Sequence, residues 1–217
     1  MLRPIIYGTV WSPPSCAVRI TARAIGLTLD LREINLLKGE NHSKEFRKLN
    51  PQRTVPTLDD NGFILCNSFA IMTYFVGKYS KSDTLYPNDL HKRAIVDQRL
   101  HFSSGNLSVR MTDAIKPIFR GERKNVSAES DQLVHAAYDI LNEFLSESKW
   151  LAGETYTLAD ISCSTYINNF EILFPIDDYP NISKWMGNCR EHLPGFEQIV
   201  TTGLKQLHQT MDQISKR

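Results

Sequence analysis

Near residue 80 the chain changes character, and this change limits its fold more than any other feature. Before it, short apolar runs of strand type alternate with short helical stretches: PIIYG, a helix from Ser12 to Gly26, LDLREINLL, a polar helix around Ser43 to Leu49, then TVPTLDD and FILC. Between the last two runs, DDNG is a hairpin signal. Asn61-Gly62 suits a type I′ turn, which needs positive φ at both central residues. Asn67 to Tyr79 returns to helical spacing through Ile71, Tyr74, Phe75 and Val76. The order is βαβ followed by ββα, so helices should pack on a small mixed sheet. After the polar, proline-containing link KSDTLYPNDL everything reads as helix. The expected division is an α/β domain at residues 1–80, a linker at 81–89 and an all-α bundle at 90–217. Within the bundle, Leu133, Ala137, Ile140, Leu141 and Phe144 form one apolar stripe at period 3.6.

Charge and cysteine usage narrow the function. The 217 residues carry a formal net charge of +1 with acids and bases interspersed, which leaves no electrostatic footprint for nucleic acid or an anionic membrane. Small molecules and protein partners remain. Met1 to Trp11 is too short for a signal peptide and is cut off by Pro13 and Pro14, and no run reaches membrane-spanning length. A cytoplasmic location is expected. Cys16, Cys66, Cys163 and Cys189 lie far apart without C-x-x-C or Cys/His ligand spacing, so reduced thiols and no metal are expected.

Three local motifs carry structural information. In WSPPSC, two prolines belong in a first helical turn and nowhere deeper, which makes Ser12 the N-cap. A capping hydroxyl accepts from the second or third helical N–H, but Pro14 has none, leaving only Ser15. The Ser12 hydroxyl is therefore partly free. In TVPT, a proline inside a strand-like run removes a ladder hydrogen bond, so Pro56 needs an edge, a bulge or a turn, cis or trans. TLAD reads as a capping box, with Thr157 as N-cap and Asp160 reaching back to its N–H, and Tyr156 and Ile161 in staple positions. It is a folding device worth about 1 kcal/mol for the cap.

Taken in order, Y-G-x-x-x-S-P-P, NLLKGE, KLNPQRTVPTLDDNGFILCNS, the Ala70-Ile71 helix, LYP, LAGETYTLADISC and YPNISKWM cover nearly the whole chain. Together they resemble the cytosolic glutathione transferases of the insect delta/epsilon type, most closely the epsilon class. The resemblance implies a thioredoxin-like N-terminal domain holding glutathione as co-substrate, a helical domain helping to bind a hydrophobic electrophile, and a homodimer. It also implies a cis bond before Pro56, with the Val55 backbone turned to the glutathione cysteinyl amide.

The implied chemistry centres on Ser12. A thioredoxin-like fold usually carries its redox C-x-x-C at the start of this helix, and here the positions are Ser12 and Ser15, so disulfide exchange through them is impossible. A hydroxyl at the positive end of a helix can instead donate to an incoming thiolate. Lowering a thiol pKa from about 8.5 to about 6.5 needs roughly 2.7 kcal/mol. One charge-assisted hydrogen bond of about 1.5 to 3 kcal/mol plus a helix terminus at about 0.3 to 1 reaches that range. Cys16 stands one turn on, either as a reactive thiol or as a small core hydrophobe, and the core reading is favoured.

The remaining expected contacts depart from the family pattern. Asn67 stands where relatives carry an acid for the γ-glutamyl ammonium; a neutral bond in place of a charged one costs about 1 to 2 kcal/mol, a roughly five- to thirty-fold loss of affinity. Ser68 is expected to bind the γ-glutamyl carboxylate at a helix start. Arg53 replaces the histidine of NPQHT and suits the glycyl carboxylate, with a solvated surface charge as the competing reading. Asn41, beside His42, replaces another usual histidine. For the hydrophobic substrate the resemblance points to Pro14, Met111, Thr112, Ile115, Phe119 and Leu207, with Thr112 where an arginine is common. Val96, Leu100, Leu107 and Met111 share one face, and Pro117 signals a kink or an end. The expected activity is conjugation of the glutathione thiolate to hydrophobic electrophiles in detoxification, with peroxidase or dehydrochlorinase side activity using the same thiolate. The alternatives are a non-catalytic carrier of hydrophobic small molecules and a Cys16-dependent thiol transferase.

Overall fold

A computed structural model describes residues 3–215, with side chains through residue 207. The N-terminal layer is β1 (Ile5–Gly8), α1 (Pro13–Ala24), β2 (Asp30–Glu33), α2 (Lys44–Leu49), β3 (Thr57–Asp60), β4 (Phe63–Cys66) and α3 (Ser68–Tyr79), with a short 3₁₀ turn at Glu40–His42. The sheet order is β2-β1-β3-β4; β1 and β2 are parallel, the other pairs antiparallel. This is the mixed sheet expected from the βαβ-ββα pattern, in the thioredoxin-like form that the resemblance implies. The β3–β4 hairpin closes through Asn61 and Gly62 at φ 56° and 90°, the two positive values a type I′ turn requires. The strands are shorter than the apolar runs around them: LDLREINLL supplies only Asp30–Glu33, and β3 starts after Pro56, whose peptide bond with Val55 is cis.

The helical part runs α4 (Leu90–Phe102), α5 (Ser108–Phe119), α6 (Ala128–Phe144), α7 (Leu158–Phe170), α8 (Pro180–His192) and α9 (Phe196–Ser215). Between α4 and α5 lies one π-helical turn, Ser103–Leu107, held by a 2.9 Å hydrogen bond between the Ser103 and Ser162 hydroxyls. The long helix after the linker is thus broken by an extra residue rather than by Pro117, near which α5 simply ends. No helix among the described residues is long and apolar enough to cross a membrane.

α7 is buried along its whole length and is the axis of the helical core. Its capping box is present, but Asp160 does more than cap. Its carboxylate, fully buried, accepts from Thr157 N at 2.8 Å, Thr157 Oγ1 at 3.2 Å, Leu151 N at 2.9 Å and Trp185 Nε1 at 2.9 Å, tying α7, α8 and the preceding loop to one point. One expectation is corrected on α6. Ala137 and Leu141 are buried as expected, but Val134 and Tyr138 complete the inward face while Leu133 and Ile140 are exposed. The apolar arc is wide enough for two rotations, and burying the Tyr138 ring, with its hydroxyl donating to Phe174 O, selects one.

A second buried carboxylate fastens α3 to the sheet. Asp60 accepts from Tyr74 Oη and Lys78 Nζ, each at 2.7 Å, and from Tyr79 Oη at 2.7 Å. Burial alone would raise its carboxyl, but hydrogen bonds from Lys78, Tyr79, Tyr74 and Asn61 outweigh it and hold it at about 2. A carboxyl depressed from 3.8 contributes stability above about pH 4, and that contribution is lost as pH falls toward about 2. Urea unfolding of Asp60→Asn and the parent should therefore differ clearly at pH 7, with the gap narrowing below about pH 4 and closing only below about pH 2. An equal gap at pH 7 and at the acid end would rule this out.

Candidate functional site

The loop before α1 is gripped from the helical half. Asn169 Nδ2 on α7 donates to the Trp11 carbonyl, and α9 passes so close that a Cβ on Gly203 would sit 2.5 Å from Val10 O. Only glycine permits that approach. Ser12, next in the chain, is in an extended conformation at φ −75° and ψ 124°, and its carbonyl accepts from Cys16 N at 2.9 Å. Its hydroxyl makes no capping bond, and no other side-chain hydrogen bond joins it among the described residues. The double proline thus leaves a free hydroxyl at the amino end of a 12-residue helix. Ser15 is fully buried, and its Oγ lies against Gly8, where a Cβ would meet it at 3.0 Å.

Cys16 is also fully buried and donates from Sγ to Val10 O at 3.1 Å. Burial pushes its thiol up to about 12, with Arg19 pulling slightly back. It is the inert core residue favoured from the sequence and cannot supply a thiolate at neutral pH.

Ser12 opens onto a cleft of about 630 Å3 between the two halves of the molecule. One side is polar. Arg53, exposed and at φ 56°, is held through its backbone: its N–H donates to Asn50 O at 2.9 Å and its carbonyl accepts from Asn41 Nδ2 at 2.9 Å. Its guanidinium lies 3.4 Å from His42 Nδ1. Asn50, fully buried, organises the turn before Val55 by donating to Thr54 O, Thr54 Oγ1 and Thr57 Oγ1 and accepting from Gln52 N. Asn50 drew no attention in the sequence, where a buried asparagine in a turn looks like any other loop residue.

The opposite side is largely aromatic and aliphatic. Trp11 stacks on Phe119 with centroids 5.7 Å apart and planes 14° from parallel. Pro14, Thr112, Ile115 and Phe119 line the cleft, as do Leu36, Leu37 and Phe170, which sequence reasoning did not single out. The rim carries Lys116, paired with Asp113 at 2.8 Å, and Arg120, 3.8 Å from Glu122. Such a cleft takes a small molecule with an anionic end and an apolar body.

Several expected site residues lie elsewhere. Met111 is fully buried in the helical core and Leu207 is 2% exposed; neither lines the cleft. Pro56 and Ser68 are buried and do not line it; Ser68 is the first residue of α3. Asn67 is the N-cap of α3 at φ 78°, and its Oδ1 already accepts from Phe69 N at 3.0 Å and Ala70 N at 3.3 Å. With its oxygen committed, the carboxamide has only its NH2 to offer, so the expectation that Asn67 accepts from an ammonium fails on geometry.

The sequence matches the family description "Glutathione S-transferase, N-terminal domain" over residues 6–83 and "Glutathione S-transferase, C-terminal domain" over residues 107–192. It is 41% identical over 190 residues to glutathione S-transferase 1 of Manduca sexta, covering 86% of this chain and 87% of that one. A delta-class glutathione transferase of Nilaparvata lugens superposes with a TM-score of 0.92 at 37% identity, covering 97% and 99% of the two chains. A glutathione transferase homolog of Drosophila mojavensis, solved with bound glutathione, gives 0.92 at 37% identity over 98% of each. With likeness at this level running through both halves and across the cleft between them, the chain belongs to the glutathione S-transferase family.

Proposed function

We propose that this protein activates glutathione and transfers its sulfur to hydrophobic electrophiles, a detoxification chemistry. The observation that carries the reading is the uncommitted Ser12 hydroxyl at the positive end of α1, facing a cleft with one cationic and one aromatic side. Ser12 donates to the thiolate. Arg53 draws the glycyl carboxylate, with Asn41 fixing the Arg53 backbone. The Val55 backbone, beside Pro56, pairs with the cysteinyl amide, and Ser68 with the α3 N-terminus takes the γ-glutamyl carboxylate. The electrophile lies against Pro14, Thr112, Ile115 and Phe119. Holding both reactants in one cleft supplies the rest of the acceleration.

In this reading residues 1–80 form the glutathione half, 81–89 the linker and 90–217 the electrophile half. The epsilon assignment rests on the NLLKGE and KLNPQRTVPTLDDNG segments. A homodimer is supported by Phe63 and Ile64, which are 49% and 37% exposed on the outer strand β4, where an uncovered apolar edge favours association. A cytoplasmic location fits four cysteines without disulfides. Peroxidase or dehydrochlorinase side activity uses the same thiolate.

The test is turnover of an aryl chloride with glutathione by the parent and by Cys16→Ala. Both should conjugate at similar rates, because Cys16 is sealed in the core. No turnover together with tight binding of a hydrophobic dye would instead establish a carrier, and disulfide reduction lost on Cys16→Ala would establish thiol exchange.

A further inference from the structure

The stripe of α5 that lines the cleft ends in two cations that the thiolate mechanism does not use. Thr112, Ile115, Lys116, Phe119 and Arg120 are spaced i, i+3, i+4, i+7 and i+8, so they share one helix face. Ile115 and Phe119 are its apolar centre. Beside them Lys116 and Arg120 stand one turn apart, about 6 Å along the axis. Among the described residues the only other charge lining the cleft is Arg53, so every charge there is positive. Lys116 is held by Asp113 at 2.8 Å. Arg120 is freer: it makes no side-chain hydrogen bond among the described residues, and Glu122, which does not line the cleft, stays 3.8 Å away. Nor is its guanidinium needed to close the helix. The backbone N–H groups of Arg120, Gly121 and Glu122 already donate to the carbonyls of Lys116, Ile118 and Pro117 at 2.9 to 3.0 Å.

We propose that Arg120, seconded by Lys116, makes the cleft selective for hydrophobic electrophiles that carry a carboxylate at the end remote from the reacting carbon. The inference rests on the transferase reading above and adds a substrate class to it. In that reading the glycyl carboxylate of glutathione goes to Arg53, on the turn before β3, which leaves the cations of α5 to the second reactant. A benzylic chloride shows the step. The thiolate sulfur forms a C–S bond to the benzylic carbon, the C–Cl bond breaks with its electron pair, and chloride leaves. The aromatic body lies on Ile115 and Phe119, and its carboxylate reaches Arg120 at the C-terminal end of α5, where the planar guanidinium takes both oxygens. The carboxylate has no part in bond making, so this contact is equal in the ground and transition states and appears in KM rather than kcat. Because the Arg120 side chain is 66% exposed, the attraction is screened by salt.

The test compares kcat/KM for 4-(chloromethyl)benzoate and its methyl ester, which share the ring and the reacting carbon and differ in charge. Arg120→Gln should lower the acid-to-ester ratio about 5-fold, the ceiling for an exposed ion pair, and Arg120→Glu about 20-fold, both through the KM of the acid. Asp113→Asn, which releases Lys116, should raise the ratio. Raising NaCl from about 0.02 to about 0.5 M should bring the parent's ratio toward that of Arg120→Gln. Substitution at an exposed side chain leaves the fold in place, and a structural effect would move both substrates together. A ratio indifferent to the Arg120 substitutions, equal losses on both substrates, or a rise confined to the KM of glutathione overturns the inference and leaves the transferase reading intact. No turnover of either substrate by the folded parent removes the transferase reading and this inference with it.

Discussion

Replacing Ser12 by alanine is expected to cut kcat/KM for an aryl chloride by about 30-fold at pH 6.5, with the titration of the bound glutathione thiol moving from about 6.5 toward about 8.5. The expectation follows from the bond being removed. The hydroxyl has no capping role to lose, so the substitution should leave α1 in place and act on the thiolate alone. One charge-assisted hydrogen bond of about 1.5 to 3 kcal/mol corresponds to a roughly ten- to hundred-fold change in thiolate population at a pH at or below the lower pKa. The helix terminus remains in the variant and keeps part of the effect. The deficit therefore has a pH signature. It should level off at its greatest value below about pH 6.5 and close above about pH 9, where the free thiol ionises unaided. Ser12→Thr, which keeps a hydroxyl, should recover much of the rate. A pH profile identical in parent and Ser12→Ala, read by thiolate absorbance of the binary complex, would remove Ser12 from the mechanism.

Asp160→Ala should lower stability by about 4 kcal/mol, four times what an isolated helix cap is worth. The reason is the number of donors stranded. Thr157 N, Thr157 Oγ1, Leu151 N and Trp185 Nε1 all converge on one carboxylate, and a buried donor left without an acceptor costs about 1 to 3 kcal/mol. For a chain of this size that corresponds to a fall in Tm of about 8 to 16 °C. Asp160→Asn keeps the volume and one acceptor oxygen but points an NH2 at some of the same donors, so it should lie between alanine and the parent. Thermal unfolding followed by Trp fluorescence is a suitable readout, since Trp185 is buried against the site. A loss near 1 kcal/mol would mean that the carboxylate is only a cap and that the links to α8 and the Leu151 loop carry nothing.

The contrast between these two carboxylate and hydroxyl sites shows how far sequence reading reaches. The TLAD box, the SPP helix start and the Asn61-Gly62 turn were legible because each is a statement about neighbouring dihedrals and the donors within one helical turn. Legible too was the order of strands and helices, from the change between period 2 and period 3.6. The family motifs added the cleft and a first set of lining residues, of which Pro14, Thr112, Ile115 and Phe119 do face it. Errors appeared wherever the answer depended on a rotation or on a distant partner. On α6 the stripe through Leu133 and Ile140 competed with one through Val134 and Tyr138, and packing chose the second. Asn67 was read by side-chain chemistry, whereas the backbone N–H groups of Phe69 and Ala70 had already taken its oxygen.

The sequence by itself determined the two-part architecture and the start of the first helix after Ser12, since local periodicity and two adjacent prolines place them; that the Ser12 hydroxyl makes no capping bond came from the structure. Only the tertiary structure decided what that hydroxyl faces. The loop carrying it is clamped by Asn169, 158 residues away, and by the close pass of Gly203. The hydrogen bond from Ser108 on α5 to Tyr166 on α7 spans 58 residues and follows the π turn. Pairings at such separations are set by how buried faces pack once the helices have formed, and no rule about adjacent residues encodes them.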